Sequence, residues 1–139
     1  MMAGMKRVEM NSACPCGRQH QKKPLAYVAC CGRWLDTDTP APDAESLMRS
    51  RYSAFCLERA PYLLRTWHAS HRPASIEFEP SVKWLGLEVR SHTVIDATHA
   101  EVEFVARQKP LAGPAVRLHE RSRFVWEDGH WLYVDGDAL

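Results

Sequence analysis

Four of the five cysteines in this 139-residue chain lie within a segment of 18 residues, close enough to act together. They form two short pairs, Cys14 and Cys16 around a proline and the adjacent Cys30 and Cys31 after thirteen further residues. Thiolates bind soft or borderline metal ions, and two short pairs joined by a loop can bring four sulfur atoms to one ion. We therefore expect Cys14, Cys16, Cys30 and Cys31 to be the ligands of one metal centre.

Zinc fits such a site best, because it accepts four thiolates in a tetrahedral arrangement at roughly 2.3 Å. Four protein ligands leave no position open for a substrate, so the zinc is expected to be structural and to stabilise a segment too short to build its own core. Three alternatives stay open: disulfides, reduced thiols that only pack, and a redox role for Cys30 and Cys31. His20 could also replace one sulfur ligand.

The composition is that of a globular domain, with 45% hydrophobic and 25% charged residues, 7 Gly and 9 Pro. It excludes a disordered or collagen-like chain, because the apolar surface is sufficient to offset the entropy lost on folding. No apolar run approaches the roughly 18 to 20 residues that a bilayer requires, and no apolar block typical of a signal peptide follows the first basic residues. The sequence predicts a soluble cytoplasmic protein that does not bind membranes.

Charge is unevenly divided along the chain, although the net charge is only +1. Residues 1–35 contain six basic residues and one acidic residue, so they carry +5 and residues 36–139 carry −4. A basic segment favours acidic protein partners or RNA. The cysteine-rich segment is therefore the predicted contact surface.

The two cysteine pairs, with Tyr27 three positions before Cys30, make this segment resemble the zinc motif at the C-terminal end of the SecA translocation ATPase. That motif has Cys-x-Cys, about eight residues, and then Cys-Cys or Cys-His, so this chain carries an insertion of about five residues within Gln19–Leu25. We expect the insertion to bulge away from the ligands. The SecA motif binds the SecB chaperone and associates with ribosomes, so the resemblance implies a protein or ribosomal RNA partner.

Proline and small polar residues at 37–42 predict a linker. It separates the zinc motif, residues 12–36, from a second domain, residues 43–139. Residues 1–11 are predicted to be a flexible N-terminus. Asp43 is a suitable N-cap for a helix that carries an apolar stripe through Phe55 to Arg59. Pro61 can begin a second helix that runs to His68.

Beyond Pro73 the apolar residues alternate with a period of two, which predicts five antiparallel strands. Their apolar positions are Ile76 and Phe78; Leu85, Leu87 and Val89; Val102, Phe104 and Ala106; Leu118 to Trp126; and Trp131 to Asp135. Asp128 and Gly129 predict a tight hairpin between the last two strands. Helices followed by a meander predict an α+β fold in which helices cover one face of a curved sheet.

Five strings make the chain resemble the YchJ family of uncharacterised bacterial proteins over residues 14–136. They are LMRSRYSAF at Leu47–Phe55, YLLRTWH at Tyr62–His68, WLGL at Trp84–Leu87, HERSRF at His119–Phe124 and WLYVDG at Trp131–Gly136. The resemblance implies a SecA-type zinc motif joined to a domain similar to nuclear transport factor 2, a cone-shaped α+β fold with a cavity between helices and sheet. Related cones often pair through their sheets, so it also allows a homodimer.

The candidate pocket of the cone is predicted to contain a basic residue, an acidic residue and a histidine. Helical geometry places Arg51 beside the apolar stripe, and strand alternation places Glu120 on the apolar face of its strand. Because an unpaired buried charge costs several kcal/mol, we expect Arg51 and Glu120 to approach each other, with His68 and Asp135 available to join them. This cluster either ties helix to sheet or forms a ligand-binding or catalytic pocket.

The opposite face of the same strand carries His119, Arg121 and Arg123. These residues form either a basic strip that binds RNA or an acidic partner, or a solvated face interleaved with acidic residues of neighbouring strands.

Two functions are consistent with the sequence. The first is a binding or adaptor protein whose zinc motif docks onto a protein or RNA partner while the cone supports it. The second is a small enzyme or ligand-binding protein that uses the cone cavity, an inference from fold analogy alone because related cones include isomerases and dehydratases. The sequence has no nucleophile motif and no glycine-rich phosphate loop, so it favours the first function and a protein without catalytic activity.

Overall fold

The computed structural model describes residues 8–139 and shows helices covering one face of a four-stranded antiparallel sheet. Residues 1–7 of the predicted flexible N-terminus lie outside the described residues. The cysteine-rich segment contains β1 (Gln19–His20), β2 (Lys23–Pro24), a 3-10 helix (Tyr27–Ala29) and α1 (Gly32–Leu35). The second part contains α2 (Ala44–Cys56), α3 (Ala60–Arg65), β3 (Lys83–Asp96), β4 (His99–Lys109), β5 (Val116–Glu127) and β6 (His130–Ala138).

The large sheet is a meander in the order β3-β4-β5-β6, with every neighbouring pair antiparallel. Its register shifts three times between β3 and β4 and once between Arg123 and Phe124 of β5. Such bulges bend strands and increase their twist, so the sheet curves around the helices. The tight turn at Asp128 and Gly129 is confirmed, with both residues at positive φ, as a primed hairpin turn requires.

Helix α2 is the element that the rest of the second part surrounds. Its predicted N-cap is confirmed, because Asp43 accepts a hydrogen bond of 2.7 Å from the backbone N–H of Ser46. The helix buries Leu47, Met48 and Tyr52 against the sheet and α3, while Cys56 at its end is only half-buried.

The predicted strand at residues 76–78 is wrong, and the large sheet has four strands among the described residues. The segment is bounded by Pro73 and Pro80, which lack the N–H donors needed for a strand ladder. Ile76 and Phe78 instead pack their side chains onto the core without pairing, and the Phe78 ring lies 6.3 Å from that of Phe55. The alternation of apolar residues in this segment therefore indicates packing against α2 and not pairing with another strand.

Helix α3 ends at Arg65, three residues before the predicted end at His68. The following residues join the edge of the sheet: Thr66 O accepts from Tyr133 N at 2.9 Å, and His68 N donates to Tyr133 O at 2.7 Å. Pairing with β6 satisfies these backbone groups in place of a further helical turn.

The two parts of the chain share one hydrophobic core. The four clustered cysteines and Tyr27 are buried in the same cluster as Leu47 of α2, Val102 of β4 and Phe124 of β5. The cysteine-rich segment therefore packs against α2 as part of the core.

No helix within residues 8–139 is long and apolar enough to cross a bilayer.

We predict that Asp43→Ala lowers the free energy of unfolding by about 1 kcal/mol, because it leaves the Ser46 N–H at the helix start without its acceptor. Asp43→Asn keeps an acceptor oxygen at the same place and should cost only a few tenths of a kcal/mol. Urea denaturation followed by circular dichroism measures both. Equal losses for the two variants would show that the cap does not stabilise α2.

Candidate metal centre and cone cavity

The four sulfur atoms of Cys14, Cys16, Cys30 and Cys31 all lie within 4.8 Å of one another, and all four residues are buried. No disulfide joins them, although the Cys16 and Cys30 sulfurs are 3.6 Å apart. The predicted convergence of the two pairs is therefore present in the structure. One cluster of four sulfurs, rather than two separate pairs, is the geometry that a single metal ion needs.

Backbone hydrogen bonds bring the two pairs together from opposite ends of the segment. Cys14 N donates to Leu25 O at 2.9 Å, and Tyr27 N donates to Ser12 O at 2.8 Å, so the chain before the first pair lies beside the chain before the second. Gly17 follows the first pair at a φ of +75°, a left-handed conformation that suits glycine. The second pair lies between the 3-10 helix and α1.

The inserted residues form the β1–β2 hairpin, whose two strands are exposed. Gln21 and Lys22 make its two-residue turn, with φ of 53° and 65°. Both angles are those of a type I′ turn, which reverses the chain in the smallest number of residues. The insertion therefore projects Lys22 and Lys23 to solvent while the sulfurs stay together.

Tyr27, the motif residue before the second pair, is fully buried and explains the glycine that follows the cysteines. A Cβ atom added at Gly32 would lie 2.8 Å from Tyr27 O and 2.9 Å from the Tyr27 ring. Both distances are too short for any side chain, so the close approach of α1 to Tyr27 requires glycine at this position.

Crowding of the sulfurs determines how the thiols can ionise. Hydrogen bonds from Cys16, Cys30 and Cys31 lower the pKa of Cys14, while the interaction with Cys14 raises the pKa of Cys30 and of Cys31. Four thiolates cannot coexist at this spacing without a cation, because each like charge opposes the next. The donor set is closed, soft and buried, so these residues suit one divalent metal ion with no open coordination position.

Polar contacts fix the cluster to α2. Arg49 donates to Cys16 O at 3.2 Å and lies 4.0 Å from the Cys16 sulfur, and the Ser53 hydroxyl is 3.6 Å from the Cys14 sulfur. Arg49 also pairs with Glu45 at 2.9 Å. Sequence reasoning missed Arg49, because only the folded chain shows that this part of α2 faces the cysteines.

Arg51 is buried, as predicted, but its partners are not acidic. Its Nη1 donates to Leu63 O at 2.8 Å and to Thr66 Oγ1 at 2.7 Å, and its Cζ lies 5.0 Å from the Trp67 ring centre and 4.7 Å from that of Tyr133. Burial lowers the pKa of Arg51 to about 10, so the guanidinium stays charged at neutral pH. Two aromatic faces and two oxygens thus replace a carboxylate partner.

Glu120 points into the cone, but it forms no ion pair with Arg51 among the described residues. Its carboxylate accepts a short hydrogen bond from the Ser122 hydroxyl and one of 3.4 Å from the Tyr133 hydroxyl. The Tyr133 side chain therefore contacts both charged groups, and both groups line the same cavity. Arg51 and Glu120 were expected to approach each other, and in the structure they share a cavity without forming an ion pair.

His68 and Asp135 do not join Arg51 and Glu120, contrary to expectation. His68 Nε2 lies 2.6 Å from a Glu127 carboxylate oxygen, and Asp135 accepts from Arg123 at 2.6 Å. Both are half-buried and lie outside the cavity lining, because the backbone of His68 pairs with β6 and because Asp135 is opposite Arg123 in the sheet register.

The cone cavity has a volume of about 580 Å³ and is lined mostly by aromatic and aliphatic side chains. Arg51 and Glu120 are its buried or half-buried charged groups, and Arg117 and His119 border it at the start of β5. Leu118, predicted to face inward, is 38% exposed at the cavity rim. A small molecule with an apolar body fits this composition.

The predicted basic strip on the opposite face is neutralised by acidic neighbours. His119 and Arg121 share Glu103, at 2.8 and 3.2 Å, and Arg123 pairs with Asp135 and with Asp137 at 2.7 Å. The Arg123 hydrogen bond lowers the pKa of Asp135. Of the two interpretations of this strip, the solvated face interleaved with carboxylates is the one that the structure shows.

We predict one divalent metal ion per purified wild-type chain, loss of that ion in Cys14→Ser, and retention in Cys56→Ser. Cys56 is half-buried and lies outside the cluster, so it is a matched control for the loss of one thiol. Elemental analysis and thiol titration under reducing conditions measure the ion and four slowly reacting thiols. A metal-free wild-type chain, or equal loss in both variants, would contradict a four-cysteine centre.

Comparison with known proteins places this geometry in a family. The family model described as the YchJ middle NTF2-like domain matches residues 43–136. A UPF0225 protein of Polaromonas sp. is 71% identical over 130 residues, covering 91% of this chain and 94% of that protein, and one of Polaromonas naphthalenivorans is 62% identical over 137 residues, covering 94% and 100%.

Two solved structures have the same fold and are described as SEC-C motif containing proteins. The solution structure from Rhodopseudomonas palustris has a TM-score of 0.77 and 30% identity, covering 92% of this chain and 99% of that one. The crystal structure from Psychrobacter arcticus has a TM-score of 0.75 and 31% identity, covering 91% and 82%. With its four-cysteine cluster and its NTF2-like domain, the chain belongs to the UPF0225 family of YchJ-like proteins.

Proposed function

We propose that this chain is a cytoplasmic zinc-containing binding protein in which the metal centre fixes a docking surface for a protein or RNA partner. The observation that carries the proposal is the single buried cluster of four sulfurs, packed on α2. A closed tetrathiolate site supplies structure rather than chemistry. Zinc is the proposed ion, because it matches four thiolates and the SEC-C motif of the structural relatives.

The β1–β2 hairpin is the part of the metal module that presents positive charge to a partner. Lys22 and Lys23 are exposed at its tip, and neither has a carboxylate within 4.0 Å among the described residues. Arg18, in contrast, donates to Ser46 at 3.0 Å and lies 3.8 Å from Glu45, so it holds the module on α2. Docking through the hairpin would leave the metal ligands undisturbed.

We predict that Lys22→Gln/Lys23→Gln loses the partners that the zinc-loaded wild-type chain retains from a bacterial lysate, with its zinc content unchanged. Bound proteins and RNA are identified by mass spectrometry and sequencing. Cys14→Ser/Cys16→Ser should lose zinc and the same partners together, because the hairpin lies between the two cysteine pairs.

Arg72→Gln/Arg90→Gln is the charge-matched control, since both arginines are exposed and lie outside the metal module. Its partners should be those of the wild type. If the metal-free variant captured the same partners as the wild type, the metal centre would have no part in docking and the proposal would fail.

The cone cavity supports a second function, binding of a small molecule. The specific observation is a 580 Å³ aromatic cavity that contains a buried guanidinium with no carboxylate within 4.0 Å among residues 8–139. A ligand with an aromatic body and an acidic group would pack against the rings and pair with Arg51.

We predict that anilinonaphthalene sulfonate binds the native chain at one site and that Arg51→Met weakens this binding about tenfold or more, because it removes the charge but keeps the apolar volume. Fluorescence titration measures the affinity. Arg65→Met, which changes an exposed arginine of α3, should bind as the wild type does. Equal affinity for all three proteins would show that the probe does not use the cavity charge.

A further inference from the structure

One end of the large sheet carries two like-charged pairs of residues directly opposite each other. Lys83 of β3 is the register partner of Lys109 of β4, and Arg107 of β4 is the partner of Arg117 of β5. Like charges in directly opposite positions destabilise a sheet. We name these four residues the outer basic patch.

Strand alternation places the outer basic patch on the face away from the helices. Trp84, Ala106 and Gln108 line the cone cavity, so Lys83, Arg107 and Lys109, one position away, belong to the other face. Arg117 is opposite Arg107 and also borders the cavity mouth.

Three of the four patch cations are accessible and have no acidic partner among the described residues. Lys83, Arg107 and Arg117 are exposed, and none of the three has a carboxylate within 4.0 Å in the part of the chain that the structure describes. The fourth, Lys109, is half-buried and donates to the carbonyls of Pro110 at 3.1 Å and Gly113 at 2.6 Å.

The contrast within β5 shows that this imbalance is local. The next three basic residues along the strand, His119, Arg121 and Arg123, each have a carboxylate partner. The same sheet thus balances its cations at one end and leaves them unbalanced at the other. Repulsion without a compensating internal contact is expected where an external anion supplies the compensation.

We propose that the outer basic patch binds the phosphate backbone of helical RNA. This inference deepens the proposed function, and rests on it, because it names RNA as the partner and adds a second surface to the hairpin. The patch lies near the metal module, since Pro15 of that module borders the same surface depression as Lys83 and Leu85.

The shape of the patch favours a double helix over a single strand or an acidic protein. Its cations form a diagonal line across three strands, from Lys83 on β3 through Lys109 and Arg107 on β4 to Arg117 on β5. Neighbours are roughly 5 Å apart across the strands and roughly 7 Å apart along β4, a spacing suited to successive phosphates of one backbone. Gly86, opposite Arg107, leaves open space above the sheet, and Leu85 beside it offers no ring for base stacking. The patch presents a sheet surface rather than a helix, so it suits the wide, shallow minor groove of A-form RNA better than the deep major groove of B-DNA.

The test uses the zinc-loaded full-length chain and a fluorescein-labelled RNA duplex of about 16 base pairs, with affinity measured by anisotropy between about 50 and 200 mM salt. Arg107→Gln/Arg117→Gln should weaken binding about tenfold or more and reduce the slope of log affinity against log salt by about 2. Its melting temperature should equal or exceed that of the wild type, because like charges are removed.

The matched control is Arg121→Gln/Arg123→Gln, which makes the same change in net charge in the same sheet but removes cations of β5 that are already paired. Its affinity should change less than about twofold, since paired and screened charges contribute little at a distance. Equal losses in the two double variants would show that net charge alone governs binding and would overturn the patch.

The remaining outcomes separate this inference from the proposed function. If Lys22→Gln/Lys23→Gln abolishes duplex binding and the patch variant binds normally, the partner docks on the metal module, and the patch inference fails alone. If the patch variant loses the duplex and the hairpin variant keeps it, the patch is supported and docking through the hairpin fails. Tighter binding to single-stranded RNA, to a DNA duplex or to poly-L-glutamate would overturn helical RNA as the occupant.

Discussion

The convergence of four sulfur atoms against one face of α2 is the constraint on which the N-terminal part of the structure depends. That part has two strands of two residues and a helix of four, too little regular structure to hold its own position. Its burial is shared with α2 through the Cys14–Ser53 and Arg49–Cys16 contacts. The sulfurs therefore determine the path of residues 12–36, and α2 determines where that path lies relative to the sheet.

Local chemistry explains which parts could be predicted from the sequence. The cysteine pairs, the Asp43 cap and the Asp128-Gly129 turn each involve residues close in the chain whose side chains or φ values permit few conformations. The strand predicted at Ile76 and Phe78 failed because a period of two reports alternating burial and says nothing about the hydrogen-bonding partner that a strand requires. Pairing is a property of the folded sheet, so neither this segment nor the early end of α3 could be assigned from periodicity.

The arginine in the cone shows the same limit for electrostatics. Sequence reasoning required a counter-charge for Arg51 and identified the right face of β5, but it assumed that only a carboxylate could stabilise a buried guanidinium. The backbone pairing at Tyr133 brings the Trp67 and Tyr133 rings together, 5.3 Å apart, beside Arg51. The Leu63 carbonyl of α3 and the Thr66 hydroxyl just after it supply the oxygens. Three of these groups lie within residues 63–67 and the fourth, Tyr133, is in β6, and no spacing rule relates either place to Arg51. Glu120 is consequently left with hydroxyl partners and remains available inside the cavity.

The charge that each surface presents depends more on which residues form ion pairs than on the number of charged residues in the segment. The first 35 residues carry +5 by count, yet Arg18 is committed to Glu45 and Ser46, and Arg33 donates to Cys30 O at 3.0 Å and lies over the Trp34 ring. The sheet of the acidic remainder, by contrast, carries Lys83, Arg107 and Arg117 at one end with no carboxylate within 4.0 Å among residues 8–139, whereas its cations further along β5 have acidic partners. A segment with net negative charge can therefore still present a group of cations without acidic partners. Sheet register, which decides which charges are neighbours, is the level at which the electrostatic character of this protein is set.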